Sequence, residues 1–92
     1  MQNKSHIPAQ QEFLNDKVIR TFSHDVKSTE LKWHWDEKDR IVKVLEENDW
    51  LLQFDDQFPI KLEKNKQIHI KSGVWHRVIK GSTDLKIEIQ EI

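Results

Sequence analysis

The chain of 92 residues has no cysteine and no long apolar run. Without cysteine there is no disulfide and no thiolate chemistry, and the composition fits a reducing compartment. We therefore expect a cytoplasmic location. Without a long apolar run, the sequence predicts no membrane-spanning helix and no signal peptide.

Neither sign of charge is in excess, since 15 lysines and arginines stand against 16 aspartates and glutamates. The lysines are interleaved with acidic residues rather than clustered, so the sequence has no electrostatic footprint for nucleic acid. Four tryptophans are many for a chain of this size. We expect them to fill much of a small core or to cover an interface, which favours a homodimer.

The length predicts one domain, with an N-terminal segment over 1–16 and a β-barrel over 17–92. Alternation of apolar and polar residues, together with short apolar runs, predicts strands separated by polar turns. They cover 18–23 as an edge strand, 31–36, 41–45, 50–55, 60–63, 68–71, 74–80 and 85–89. Asn65 lies in one of the turns and suits a left-handed conformation. The fold class is therefore all-β, a sandwich or barrel, with a short helix or strap over 8–14 anchored by Phe13 and Leu14.

Two stretches, positions 34–47 and 71–76, follow the motifs of a known family. In the first, His34 is followed after one residue by Asp36 and then by a strand. In the second, Gly73 lies in a turn three residues before His76. From about position 31 to position 89 the chain resembles a small single-domain cupin. The resemblance implies a double-stranded β-helix, the cupin jelly-roll barrel. It also implies, as in many relatives, a divalent metal ion held by three histidines and a glutamate.

The first motif of this chain departs from that pattern. On the resemblance, His34 and His76 match two ligand histidines, while Asp36 stands where the other histidine is usual. Arg40 stands at the glutamate position, with Asp39 beside it. Two histidines and one carboxylate form the facial triad of non-heme iron(II) sites. The expected cofactor is a divalent metal, and zinc, nickel, iron and manganese all stay open.

Arg40 leaves two alternatives open for this site. If it turns outward, Asp39 or Glu37 completes the metal shell. If it turns inward, it pairs with Asp36 and makes the pocket a metal-free binder of anions or carboxylates. The alternation of this strand does not show which way Arg40 points, because the residues on both of its faces, Ile41 among them, are apolar.

The direction of His34 is coupled to that of two tryptophans. Alternation alone buries Trp33 and Trp35 and leaves His34 in water, because burial of tryptophan is the larger free-energy term. The cupin resemblance instead turns His34 inward, and the tryptophans then need cover from the N-terminal segment or a second subunit. His76 shares its strand face with two valines and is expected to point inward.

Three functions remain open, because a fold alone does not choose among them. The first is a cupin that binds a metal through His34, Asp36, His76 and Asp39 and takes a small-molecule ligand or substrate. The second is a metal-free module in which Arg40 and the two histidines hold an anionic ligand. The third is a structural or interaction domain that kept the fold and lost the site.

Whether the protein is an enzyme is left open. The expected partners are a small molecule and a second copy of the chain, without nucleic acid or membrane.

Overall fold

Two antiparallel sheets form the part of the chain that the structure, a computed structural model, describes, residues 7–92. The first six residues of the predicted N-terminal segment lie outside it. The strands are β1 (Gln10–Leu14), β2 (Lys17–Phe22), β3 (Arg40–Val44), β4 (Leu51–Phe54), β5 (Ile60–Lys61), β6 (Gln67–Ile70), β7 (His76–Ile79) and β8 (Leu85–Glu91). A single turn of 3-10 helix, Ser28–Glu30, precedes β3. The all-β prediction is confirmed. Within these residues, no helix has the length and apolar character needed to cross a membrane.

The larger sheet has the order β1-β2-β8-β3-β6, and the smaller sheet has the order β5-β4-β7. Alternate residues of each strand point to the same side, so the apolar positions of both sheets face a shared interior. This interior is the hydrophobic core, made of Phe22, Val26, Leu31, Val42, Val44, Trp50, Leu52, Leu62, Ile68, Ile70, Leu85, Ile87 and Ile89. Trp50 packs near the centre, with its ring 5.6 Å from that of Phe22.

The N-terminal element differs from the prediction. Residues 10–14 form β1, paired with β2, so the expected helix over 8–14 is wrong. A short helix leaves most of its terminal N–H and C=O groups without partners, whereas the hairpin pairs them across two strands. Phe13 is 74% exposed and does not anchor the segment. The predicted edge strand, β2, lies between β1 and β8.

The predicted strand over 31–36 is reduced to one isolated bridge between His34 and His76. Trp33 and Trp35 are 38% and 49% exposed, while Trp50 is buried. Trp75 is 46% exposed as well, so the predicted role in the core holds for Trp50 alone of the four tryptophans. The alternative role, covering an interface, stays a prediction for the other three. The N-terminal strand pairs with β2, while Ile7 and Pro8 before it line the same cavity as Trp33 and Trp35.

Two turns depend on a left-handed backbone. Asn65 has φ of 71°, as the sequence predicted, and Gly73 has φ of 77°. A side chain at Gly73 would meet no atom within 4 Å, so the backbone angle alone favours glycine there. This second turn leads directly into β7 and the candidate site.

Candidate metal centre

His34, Asp36 and His76 converge beside the barrel interior. Each offers one ligand atom, and these atoms all lie within 4.8 Å of one another. The backbone fixes the arrangement. The His34 N–H donates to the His76 carbonyl at 3.0 Å, and the His76 N–H donates back at 2.9 Å. The Gly73 N–H donates to the Asp36 carbonyl at 2.9 Å, so the left-handed turn holds this segment in place.

Backbone carbonyls orient both imidazole rings. The Nδ1 atom of His76 lies 2.8 Å from the Val74 oxygen, and the Nδ1 atom of His34 lies 3.1 Å from the Lys32 oxygen. A carbonyl oxygen accepts and never donates, so each Nδ1 carries a proton. In the neutral ring, Nε2 then holds a free lone pair. Metal-ligating histidines are commonly fixed by this kind of outer hydrogen bond.

The carboxylate of Asp36 faces the Nε2 atom of His76. Asp36 Oδ2 is 3.3 Å from that nitrogen. It is buried and has no hydrogen-bond partner among residues 7–92. With a neutral His76, two lone pairs face each other across this gap. Such an arrangement is unfavourable in a buried site unless a proton or a cation lies between them. A positive charge between Asp36 Oδ2 and His76 Nε2 would therefore stabilise the site.

Electrostatics keep Asp36 ionised and His34 neutral. Burial works to raise the pKa of Asp36, but the contact with a protonated His76 and the charge of Arg40 outweigh it, so the pKa falls below its usual value. Asp36 is therefore a carboxylate at neutral pH. His34 is exposed on one side, while its other side packs on the His76 ring, with centroids 4.3 Å apart. The resulting desolvation lowers the pKa of His34 and keeps it neutral.

Arg40 points inward, so the outward alternative is not realised. It shares a face of β3 with the buried Val42 and Val44. Its NH1 atom lies 3.3 Å from Asp36 Oδ1, and its NH2 atom lies 3.1 Å from Glu91 Oε2. Because the guanidinium contacts Oδ1, the other carboxylate oxygen stays directed at His76.

Asp39 lies outside this group. Its Oδ1 accepts the Ser72 N–H at 2.8 Å, and its Oδ2 lies 2.9 Å from His69 Nε2. The hydrogen bond from the Ser72 backbone and the contact with His69 lower the pKa of Asp39. Glu37 is exposed. The structure thus brings together three of the four predicted metal residues and directs Asp39 elsewhere.

Arg20 is a cavity residue that sequence reasoning missed. On β2 it lies opposite Ile87 of β8, on the same face as Phe22, and both of these are core residues. An arginine therefore projects from the inward face of the barrel. The alternation of Val18, Arg20 and Phe22 along the predicted strand was the signal that could have found it.

The guanidinium of Arg20 is held by Gln11 of the neighbouring strand β1. Its Nε and NH2 atoms donate to Gln11 Oε1 at 3.0 and 2.8 Å. Burial and then the charge of Arg40 lower the pKa of Arg20 to about 10, while Asp36 works in the opposite direction. Arg20 remains a cation at neutral pH.

A cavity of about 500 Å³ connects these groups. Its polar lining includes the three candidate ligands and both arginines, and its apolar lining includes core side chains with Trp33 and Trp35. This volume is in the range of small-ligand sites, which combine mostly apolar walls with a few directed polar groups.

Comparison with known proteins yields structural likeness without sequence matches. No protein-family model and no curated protein sequence matches the chain. A cupin-2 domain protein from Shewanella frigidimarina is 25% identical, with a TM-score of 0.63 over 92% of this chain and 79% of that one. An RmlC-like cupin from Methanocaldococcus jannaschii, with a double-stranded β-helix fold, is 9% identical, with a TM-score of 0.70 over 99% of this chain and 86% of that one.

A third similar structure contains a metal. Fe(II) HppE is 14% identical to this chain, with a TM-score of 0.67 over 83% of this chain and 41% of its own length. The chain therefore spans less than half of that protein, and the likeness concerns the fold.

Proposed function

We propose that this chain, which has the double-stranded β-helix fold of a small cupin, binds a divalent metal ion through His34, Asp36 and His76. We propose further that the adjoining cavity takes a small-molecule ligand. One observation supports the metal most strongly. Both imidazoles donate Nδ1–H to backbone carbonyls, while Asp36 Oδ2 is buried beside His76 Nε2 without a hydrogen-bond partner among residues 7–92. Three lone pairs are thus available at one place, as a metal ion requires.

The donor set narrows the choice of metal. Two histidines and one carboxylate suit iron(II) with open positions for water or ligand, and zinc, nickel and manganese accept the same donor types. When bound, such a metal supplies Lewis-acid chemistry, and iron supplies redox chemistry as well. The chain's own groups would hold the donors in place, with Arg40 on Asp36 Oδ1 and the Lys32 carbonyl on His34.

Metal content tests the proposal. Protein purified without chelator or metal-affinity tag is expected to carry about one divalent ion per chain, and added metal should raise the melting temperature, because a ligand of the native state stabilises it. His34→Ala should lower both readouts, since it removes one of the three donors. His69→Ala is the matched control, because His69 is an exposed histidine engaged with Asp39. Wild-type protein that lacks metal and gains no stability from iron(II), zinc, nickel or manganese would contradict the proposal.

A second candidate function is metal-free binding of an anionic ligand by Arg40, His34 and His76. The inward direction of Arg40 favours it, because a guanidinium beside the cavity recognises oxyanions. In that case small carboxylates should raise the melting temperature of chelator-treated protein, and Arg40→Ala should abolish the effect. Stabilisation by carboxylates that is unchanged in Arg40→Ala would reject this alternative.

A further inference from the structure

A second cation, Arg20, lines the barrel cavity and forms no ion pair with an acidic residue of the described part of the chain, residues 7–92. Arg40 contacts both Asp36 and Glu91, so its charge is balanced. Arg20 donates to the neutral side chain of Gln11, and no carboxylate of residues 7–92 lies within ion-pair distance of its guanidinium. A largely desolvated cation is costly unless it is paired.

The geometry of Arg20 prepares it to bind an oxyanion. Gln11 holds two N–H groups of one edge of the guanidinium, at Nε and NH2, which fixes the plane of the group. The remaining N–H donors have no acceptor among the described residues and belong to a side chain that lines the cavity. A fixed planar guanidinium matches carboxylate and phosphate oxygens in pairs, and its preorganisation reduces the entropic cost of binding.

The other walls of the cavity indicate the rest of the ligand. Trp33 and Trp35 line the same cavity as Arg20 and are partly exposed. Aromatic surface of this kind buries the apolar body of a small molecule. The volume of about 500 Å³ admits one molecule that reaches both the arginine and the candidate metal ligands.

We propose that Arg20 binds the oxyanion of the cavity ligand, and that this ligand is a small organic anion with an apolar body. The inference rests on the proposed function, because it names the class of ligand for that same cavity. Carboxylate and phosphate share the chemistry that a guanidinium recognises, so the two are separated by experiment.

Calorimetric titration of metal-loaded and chelator-treated protein tests the inference. The probes are phenylacetate, phenyl phosphate, the neutral analogue phenylacetamide, and acetate, which lacks the apolar body. Wild type is expected to bind one of the two aromatic anions at least about tenfold more tightly than phenylacetamide and than acetate. The stronger of the two aromatic anions then identifies the oxyanion.

Arg20→Gln should weaken binding of that anion at least about tenfold, because the charge-assisted contact is lost. Arg77→Lys is the matched control. Arg77 also donates through Nε and Nη2 to one glutamine oxygen, that of Gln53, at 3.1 and 3.0 Å. It does not line the cavity, and lysine keeps a cation over the Trp33 ring that Arg77 covers, so this replacement should leave the affinity unchanged.

The outcomes separate this inference from the proposed metal site, because metal content is measured on the same samples. Arg20→Gln protein that keeps its metal and loses the anion supports the inference. Equal anion affinity in wild type and Arg20→Gln overturns it, as does wild type that holds metal and binds neither aromatic anion. Wild type that binds the anion through Arg20 but holds no metal contradicts the metal site alone.

If Arg20→Gln does not fold, Arg20→Lys serves instead. Undiminished affinity in that variant overturns the inference, because lysine keeps the charge but lacks the planar pair of donors.

Discussion

Two aspartate–histidine pairs lie side by side in this protein and differ in how completely their groups are satisfied. The side chains of Asp36 and His76 are 12% and 5% exposed, and Asp36 Oδ2 has no hydrogen-bond partner among residues 7–92. The side chains of Asp39 and His69 are 37% and 44% exposed, and the Asp39 carboxylate also accepts the Ser72 N–H. The first pair is buried and incomplete, while the second is solvated and satisfied. Burial and missing partners, rather than residue type, distinguish the candidate metal centre.

The largest expected difference between the two pairs is in metal affinity. Asp36→Asn should weaken binding by more than about 100-fold, because loss of a direct ligand should exceed the tenfold to hundredfold effects of outer groups. Asp39→Asn is the isosteric control and should leave the affinity unchanged, since Asp39 is directed at His69 and Ser72. Competition titration with a chromogenic chelator measures both. Equal losses in the two variants would remove the distinction between the pairs.

A single turn supports both pairs through two adjacent backbone N–H groups. The Gly73 N–H binds the Asp36 carbonyl, whereas the adjacent Ser72 N–H binds the Asp39 carboxylate. Gly73→Ala should lower the free energy of unfolding by about 1–2 kcal/mol, because the left-handed angle is unfavourable for a residue with Cβ. Gly73→Asn should cost less, since asparagine tolerates this conformation. Urea unfolding of the metal-free protein measures the change. A larger loss for asparagine than for alanine would show that the backbone angle is not the cause.

The smallest effect is expected at the exposed pair and depends on pH. The pKa of Asp39 is lowered in the folded state by the Ser72 N–H and the His69 contact. The unfolded chain then binds the proton more readily, so the stabilisation from Asp39 is present above the ordinary aspartate pKa of 3.8 and is lost as pH falls through the folded pKa. Asp39→Asn should therefore be less stable than wild type at neutral pH, and the difference should shrink in acid. Urea midpoints at several pH values provide the measurement. A difference that grows as pH falls would give the opposite sign and contradict this account.

Much of the barrel could be predicted from local pattern. The alternation of Leu85, Ile87 and Ile89 specified the inward face of β8, and the position of Asn65 in a polar turn specified its left-handed backbone. These features depend on residues that are close in the sequence, so one sequence is enough to predict them.

Other features depend on contacts between distant segments. The parity of β3 left Arg40 undecided, and its inward direction follows from pairing with β6 and β8, where Ile70 and Glu91 are its partners. The segment over 8–14 was expected to form a short helix or strap, but residues 10–14 pair with β2 as a strand. The alternation of residues along β2 predicts that Arg20 points inward, but this conflicts with the expectation that charged residues face water. The homodimer stays a prediction, in which a second copy of the chain covers the partly exposed Trp33 and Trp35.

X-ray absorption spectroscopy of the metal-loaded protein would identify the ligands of the ion itself. We expect the multiple-scattering signature of two imidazole rings, with nitrogen and oxygen donors at about 2.0–2.2 Å if the ion is zinc. One imidazole should disappear in His34→Ala and none in His69→Ala. A spectrum without imidazole scattering, or one that His34→Ala leaves unchanged, would contradict a metal centre formed by His34, Asp36 and His76.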